Sequence, residues 1–107
     1  MIQYEVFCED ILLGRLEIRE GQHRYVPCAE NVEQVQRRVP LPWEMVRGRD
    51  WGKPIPFFQE RIENARRFGT EKRIRYHTDL FDMRMVAEEA KAATNGIYQN
   101  SEGVDSL

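Results

Sequence analysis

The chain has 107 residues, 41% of them apolar and 32% charged, with a formal net charge of −2. That is enough for one modest hydrophobic core, and the composition is that of a globular chain rather than a disordered one. No apolar run reaches the roughly 20 residues that span a bilayer.

The small net charge conceals segregation: residues 1–36 carry −4, residues 37–75 carry +6 and residues 76–107 carry −4. The basic middle either faces an anionic partner or is neutralised by acidic ends folding back on it.

The amino terminus, MIQYEVFCED, has no basic segment followed by an apolar stretch. It does not read as a secretory signal, so a cytoplasmic location is expected. Ile2, Tyr4, Val6 and Cys8 alternate with Gln3 and Glu5, the period of a half-buried strand. Leu12, Leu16 and Ile18 alternate with Arg15, Glu17 and Arg19 in a second strand. Cys8 to Ile11 forms the tight connection of a hairpin. Glu20-Gly21 marks the next turn, and QHRYVPC is a third strand that Pro27 places at an edge or exit.

The period then changes. Val32, Val35 and Val39 share one helical face, with Glu30 and Glu33 early and Arg37 and Arg38 late, as the helix dipole favours. Pro40 and Pro42 end that helix. LPWEMVRGRDWGKP reads as a loop or short helical turn punctuated by Gly48 and Gly52. Pro54 and Pro56 suit the first turn of the next helix. Ile55, Phe58, Ile62, Ala65 and Phe68 form its apolar stripe, and Gly69 closes it. Phe57 lies off the stripe.

KRIRYHTDLFDMRMV alternates twice, which predicts a second hairpin around His77-Thr78-Asp79; a helix capped by Thr78 or Asp79 is the competing reading. AEEAKAAT has strong helix propensity and ends at Asn95-Gly96. The expected whole is a single α+β domain over residues 1–98, with a flexible tail at 99–107. A three-stranded antiparallel meander packs on the main amphipathic helix, followed by a second hairpin and a short C-terminal helix. Tyr4, Val6, Leu16, Ile18 and Tyr25 are expected against Ile55, Phe58, Ile62 and Phe68.

Chemistry-bearing residues are sparse. His77, Asp79 and Asp82 could hold a divalent metal or move a proton, but a further ligand is missing, and a turn held by Thr and Asp side chains explains them. Cys8 and Cys28 form neither a zinc cluster nor a redox pair, and in strands they read as small buried apolar residues. No phosphate loop and no HExxH is present. The expectation is a protein that is not an enzyme and needs no cofactor or metal.

Two binding readings remain. In the first, Trp43, Trp51 and Phe57, rimmed by Arg47, Arg49, Lys53 and Arg61, form a protein-docking patch, since interfaces favour aromatic and arginine anchors. The alternative for both tryptophans is that they cap the core. A second copy of the chain is among the candidate partners. In the second reading, the basic 61–75 segment binds nucleic acid through Arg61, Arg66, Arg67, Lys72, Arg73 and Arg75, with Tyr76 and Phe57 stacking on bases. Glu60, Glu63 and Glu71 interleave with those cations, and the sequence pI is only about 5.7.

YEVFCEDILLGRLEIREGQHRYVPCAE resembles the start of the HipA kinase N-terminal region: a strand, a turn, a Leu-Gly-x-Leu second strand and a glycine before a third. PIPFFQERI is similar in placement to the Phe-Phe segment of that region. The likeness covers about the first 65 residues. It lacks the Ser-Leu-x-x-Pro and Leu-Pro-Glu-Gly sequences expected around the Phe pair. It implies an antitoxin-like module that restrains a toxin-like kinase. The whole chain also resembles short uncharacterised proteins of Firmicutes and their mobile elements, which share IPFF and YHTD motifs and imply no activity.

Overall fold

The structure, a computed structural model, describes residues 1–75 and 80–88. The fold is α+β. Its strands are β1 (Ile2–Cys8), β2 (Ile11–Arg19), β3 (Gln22–Pro27), β4 (Arg49–Gly52), β5 (Arg73–Arg75) and β6 (Phe81–Glu88); its helices are α1 (Ala29–Gln36), α2 (Trp43–Arg47) and α3 (Pro56–Arg67). Among the described residues, all six strands form one sheet in the order β4-β3-β2-β1-β6-β5, with every neighbouring pair antiparallel.

Turn chemistry explains the tight start. Glu9 and Asp10, at φ 51° and 67°, form the two-residue link between β1 and β2, and Glu20 and Gly21, at 51° and 77°, form the next. Two successive positive φ values match the right-handed twist of the flanking strands. The Glu9 carboxylate pairs with Arg38 beyond α1, and the Glu9 N–H donates to the Leu80 carbonyl.

A β-bulge corrects the expected phase of β2. Val6 faces Gly14 but Phe7 faces Leu12, so Leu13 is the extra residue. The bulge turns Leu13 into the core, and Leu12 occupies the opposite face. The Cys28 N–H donates to the Leu13 carbonyl at 2.7 Å, and the Asn31 side chain donates to the Leu12 carbonyl at 2.8 Å. These two bonds seat the start of α1, which has no side-chain cap. Cys28 is therefore the N-cap of α1 rather than a strand residue, and it is half-buried.

All three helices contribute to one core with one face of the sheet. Val32 and Val35 of α1, Met45 of α2, and Phe58, Ile62 and Ala65 of α3 join Tyr4, Val6, Leu16, Tyr25 and Met83. Tyr25 stacks on Phe58 at 5.3 Å between ring centroids. Burying a side chain of this size contributes about 1.5–3 kcal/mol, so these contacts account for much of the stability.

Phe68 is the clear departure from the expected stripe: it is 74% exposed. It is the C-cap of α3, at φ −111° and ψ 3°, so the helical phase stops before it. The Thr70 N–H returns to the Ala65 carbonyl and the Gly69 N–H to that of Arg66, the bonding of a Schellman ending with Gly69 at φ 69°.

Two further segments differ from expectation. Residues 49–52 are not loop but the edge strand β4, with Arg49 opposite Tyr25 and Gly52 opposite His23. Ala87 and Glu88, expected to open a helix, end β6 opposite Gln3 and Ile2. β5 and β6 are paired, with Ile74 opposite Met83. The turn at 76–79, the rest of the expected C-terminal helix and the 99–107 tail lie outside the described residues. Among the described residues no helix is long and apolar enough to cross a membrane.

Candidate binding surfaces

The seven residues of the expected docking patch fall on three elements and one connection. Trp43 opens α2 after Pro42 and is 66% exposed, with the Arg47 guanidinium over its ring at 4.5 Å. Spacing i to i+4 on a helix brings those two side chains together. Trp51 lies on β4, half-buried under the Arg19 guanidinium at 4.3 Å. Neither indole belongs to the buried core.

Phe57 and Arg61 sit on α3. Phe57 packs edge-on against Phe58 and Phe81, and Arg61 covers the ring at 3.7 Å while donating to the Phe57 carbonyl. Phe57 is thus partly buried against the core, although it lies off the apolar stripe. Arg49 is turned inward on the chain. It donates to the carbonyls of Asp50, His23 and Lys53 and locks the β4–α3 connection. Lys53 is exposed in that connection. Trp43 with Arg47 is therefore the part of the patch that presents an aromatic ring to water.

His23 is the residue the sequence reading passed over. It is 1% exposed, and its Nδ1 accepts the Ile55 N–H at 3.0 Å while Gln59 hydrogen-bonds the side chain. Burial holds its pKa below the usual value, with the Gln59 bond opposing and Arg49 adding to the shift. Ile55 is the N-cap of α3 and has no side-chain cap of its own, so the imidazole supplies one from β3. The signal was present: His23 shares the inward parity of Tyr25, between Gln22 and Arg24.

Among the described residues, no helix lies on the opposite face of the sheet. Its strand residues alternate with the buried set: Glu5 and Phe7 on β1, Arg15 and Glu17 on β2, Arg24 on β3, and Asp82 and Arg84 on β6. Asp82 is buried beneath two guanidiniums, with Arg73 Nη2 at 2.9 Å and Arg84 Nη2 at 3.1 Å. Burial pushes its carboxyl up, but the hydrogen bonds from Arg73 and Arg84 outweigh that and hold it below the ordinary carboxylate range. Glu17 pairs with Arg24 at 3.5 Å, and Arg84 lies over Phe7 at 4.1 Å.

The 61–75 segment does not form one surface. Arg61, Arg66 and Arg67 are on α3 or in its last turn, whereas Arg73 and Arg75 flank the buried Ile74 and point away from the helices. Of the His77, Asp79 and Asp82 trio, only Asp82 is described, and arginines occupy its carboxylate. Among the described residues no group of three or more His, Cys, Asp or Glu side chains gathers to hold a metal. Compared with known proteins, the chain matches no family model, no curated protein and no solved structure.

Proposed function

We propose that the protein is a non-catalytic protein-interaction module that docks through the α2 surface. The observation that carries this reading is Trp43, a large aromatic ring displayed in water at 66% exposure and steadied by Arg47. Exposed rings of this kind become interface anchors because burying them against a partner removes apolar area from water, and an adjacent arginine adds a directional polar contact. Lys53 and Arg61 supply charged groups elsewhere on the surface, and Trp51 under Arg19 is a second, more shielded ring.

The likeness of the first 65 residues to the HipA N-terminal region makes a toxin-like kinase the partner class to test first. Two free thiols suit a reducing compartment, so a cytoplasmic setting belongs to the proposal. The test is affinity capture from native lysate with wild-type protein, Trp43→Ala and Trp51→Ala, followed by titration of the purified partner. Trp43→Ala should weaken binding by more than about tenfold, equivalent to about 1.4 kcal/mol. Equal affinity for wild type and Trp43→Ala would remove the α2 surface from the reading.

A further inference from the structure

Basic residues scattered in sequence converge on the sheet face opposite α1, α2 and α3, where the described residues place no helix. On β1, β2, β3, β5 and β6 that face carries six arginines, Arg15, Arg19, Arg24, Arg73, Arg75 and Arg84, against three carboxylates, Glu5, Glu17 and Asp82. Depth separates the two signs. The Asp82 and Glu17 side chains are only 10% and 15% exposed, while their partners Arg73 and Arg24 are 53% and 45% exposed. Apart from Asp10, an exposed turn carboxylate 3.6 Å from Arg84, an arriving ligand therefore meets guanidinium N–H groups, with the Asp82 and Glu17 carboxylates beneath them. Arg15 and Arg75 make no ion pair among the described residues and are exposed.

The cations are also ordered. Arg73, Arg84, Glu5 and Arg15 are successive cross-strand partners on β5, β6, β1 and β2. At about 4.8 Å per strand, Arg73 and Arg15 lie about 14 Å apart across the sheet, a span that an extended polyanion can follow. Apolar and aromatic groups interleave with them. Phe7 and Leu12 are cross-strand partners on this face, Val26 stands opposite Arg15, and Arg19 carries its guanidinium over Trp51. Leu12, Arg15 and Val26, together with Glu5 and Glu17, line a shallow depression of about 230 Å³.

We infer that this face binds single-stranded nucleic acid. Arginine is the cation suited to the task, because its planar fork chelates phosphate oxygens and its flat face stacks on bases. An acidic peptide would satisfy the charge but has no rings to lay against Leu12, Val26 and the Arg84 guanidinium that covers Phe7, whereas exposed bases do. The surface is distinct from the Trp43 anchor and does not depend on the protein-docking reading.

The experiment is fluorescence anisotropy of a labelled oligo(dT) of about 12 nucleotides, titrated with the full chain at about 50 and about 200 mM salt. With about four phosphates engaged, affinity should fall about 50-fold between those salt concentrations. The double variant Arg15→Gln/Arg75→Gln should weaken binding at least about tenfold and flatten the salt dependence, because it removes two phosphate contacts. A control of equal charge, Arg37→Gln/Arg67→Gln on the helical layer, should stay within about twofold, as should Trp43→Ala. Circular dichroism of each variant establishes that the fold is kept; the chosen arginines hold no buried carboxylate. Absence of binding at low salt would overturn the inference. So would equal loss in the two double variants, which marks attraction to net charge alone. Tighter binding of a poly-glutamate peptide than of oligo(dT) would also overturn it, and would assign the face to an acidic protein segment.

Discussion

The His23 imidazole accepts the backbone N–H of Ile55 at 3.0 Å, so a side chain of β3 caps the first turn of α3. Strand and helix are far apart in sequence, and the bond fixes where the helix begins over the sheet. The bond requires a neutral ring with an unprotonated Nδ1, and burial favours that form.

A pH dependence follows, with its sign set by the lowered pKa. The unfolded histidine titrates near its ordinary value of about 6.5 and the folded one below it. Between those values the unfolded chain binds a proton that the native chain does not, so stability is complete above about pH 6.5 and declines as pH falls through the folded pKa. Urea melts at pH 7.5 and 5.5 should show a lower midpoint at the lower pH. His23→Leu should remove that component of the slope and cost about 1–3 kcal/mol at neutral pH by leaving the Ile55 N–H buried and unpaired. An unchanged slope in the variant would assign the acid sensitivity to other groups.

The Gly14–Tyr25 contact makes a pair of opposed predictions. A Cβ at Gly14 would stand 2.5 Å from the Val26 carbonyl oxygen and 2.6 Å from the Tyr25 hydroxyl. Gly14→Ala should therefore destabilise the fold by about 1–3 kcal/mol through overpacking. The same hydroxyl is buried with no partner among the described residues. Tyr25→Phe removes it and should be neutral or stabilising by about 1 kcal/mol. Thermal melts of the two variants check both signs.

The ends of the α3 stripe differ in the same way. Phe58 is fully buried against Tyr25, and Phe58→Ala should cost about 3–5 kcal/mol. Phe68→Ala should stay within about 0.5 kcal/mol of wild type, because that ring is in water. Comparable losses in denaturant melts would contradict the observed helix ending.

Much of this was legible in the chain, and the misses have physical causes. The alternation of Tyr4, Val6 and Cys8 and the stripe through Phe58, Ile62 and Ala65 are local periodicities, and local periodicity survives translation into structure. Leu13 replaced Leu12 in the core because one inserted residue reverses parity, and no pattern of side chains announces the insertion. β4 was unreadable because a short edge strand is held by backbone pairing to His23 and Tyr25 rather than by its own alternation. Phe68 lies one step beyond the helix whose phase it was assigned. The arginine face was invisible for a different reason: Arg15, Arg24, Arg75 and Arg84 meet only through strand order. A sequence window gathered instead the cations of 61–75, which the structure divides between two layers.

Asp82 supplies the electrostatic counterpart. Its carboxyl is held below the ordinary range in the folded chain by Arg73 and Arg84. The contribution is present above about pH 4 and is lost as pH falls through the lowered folded value. Asp82→Asn should lower stability at pH 7 by about 1–2 kcal/mol, a hydrogen-bonded charge discounted for its half-exposed partners. The difference from wild type should shrink below about pH 4 in acid melts. A difference that persists unchanged to low pH would show that packing, not charge, sets the cost.

The most direct measurement is site-specific photo-crosslinking in native lysate, with the photoreactive side chain at position 43 and, as a control, at the exposed Gln34 of α1. Docking through α2 should give one prominent protein adduct from position 43 that is absent from position 34. Identical adducts from both positions, or none from position 43, would contradict it.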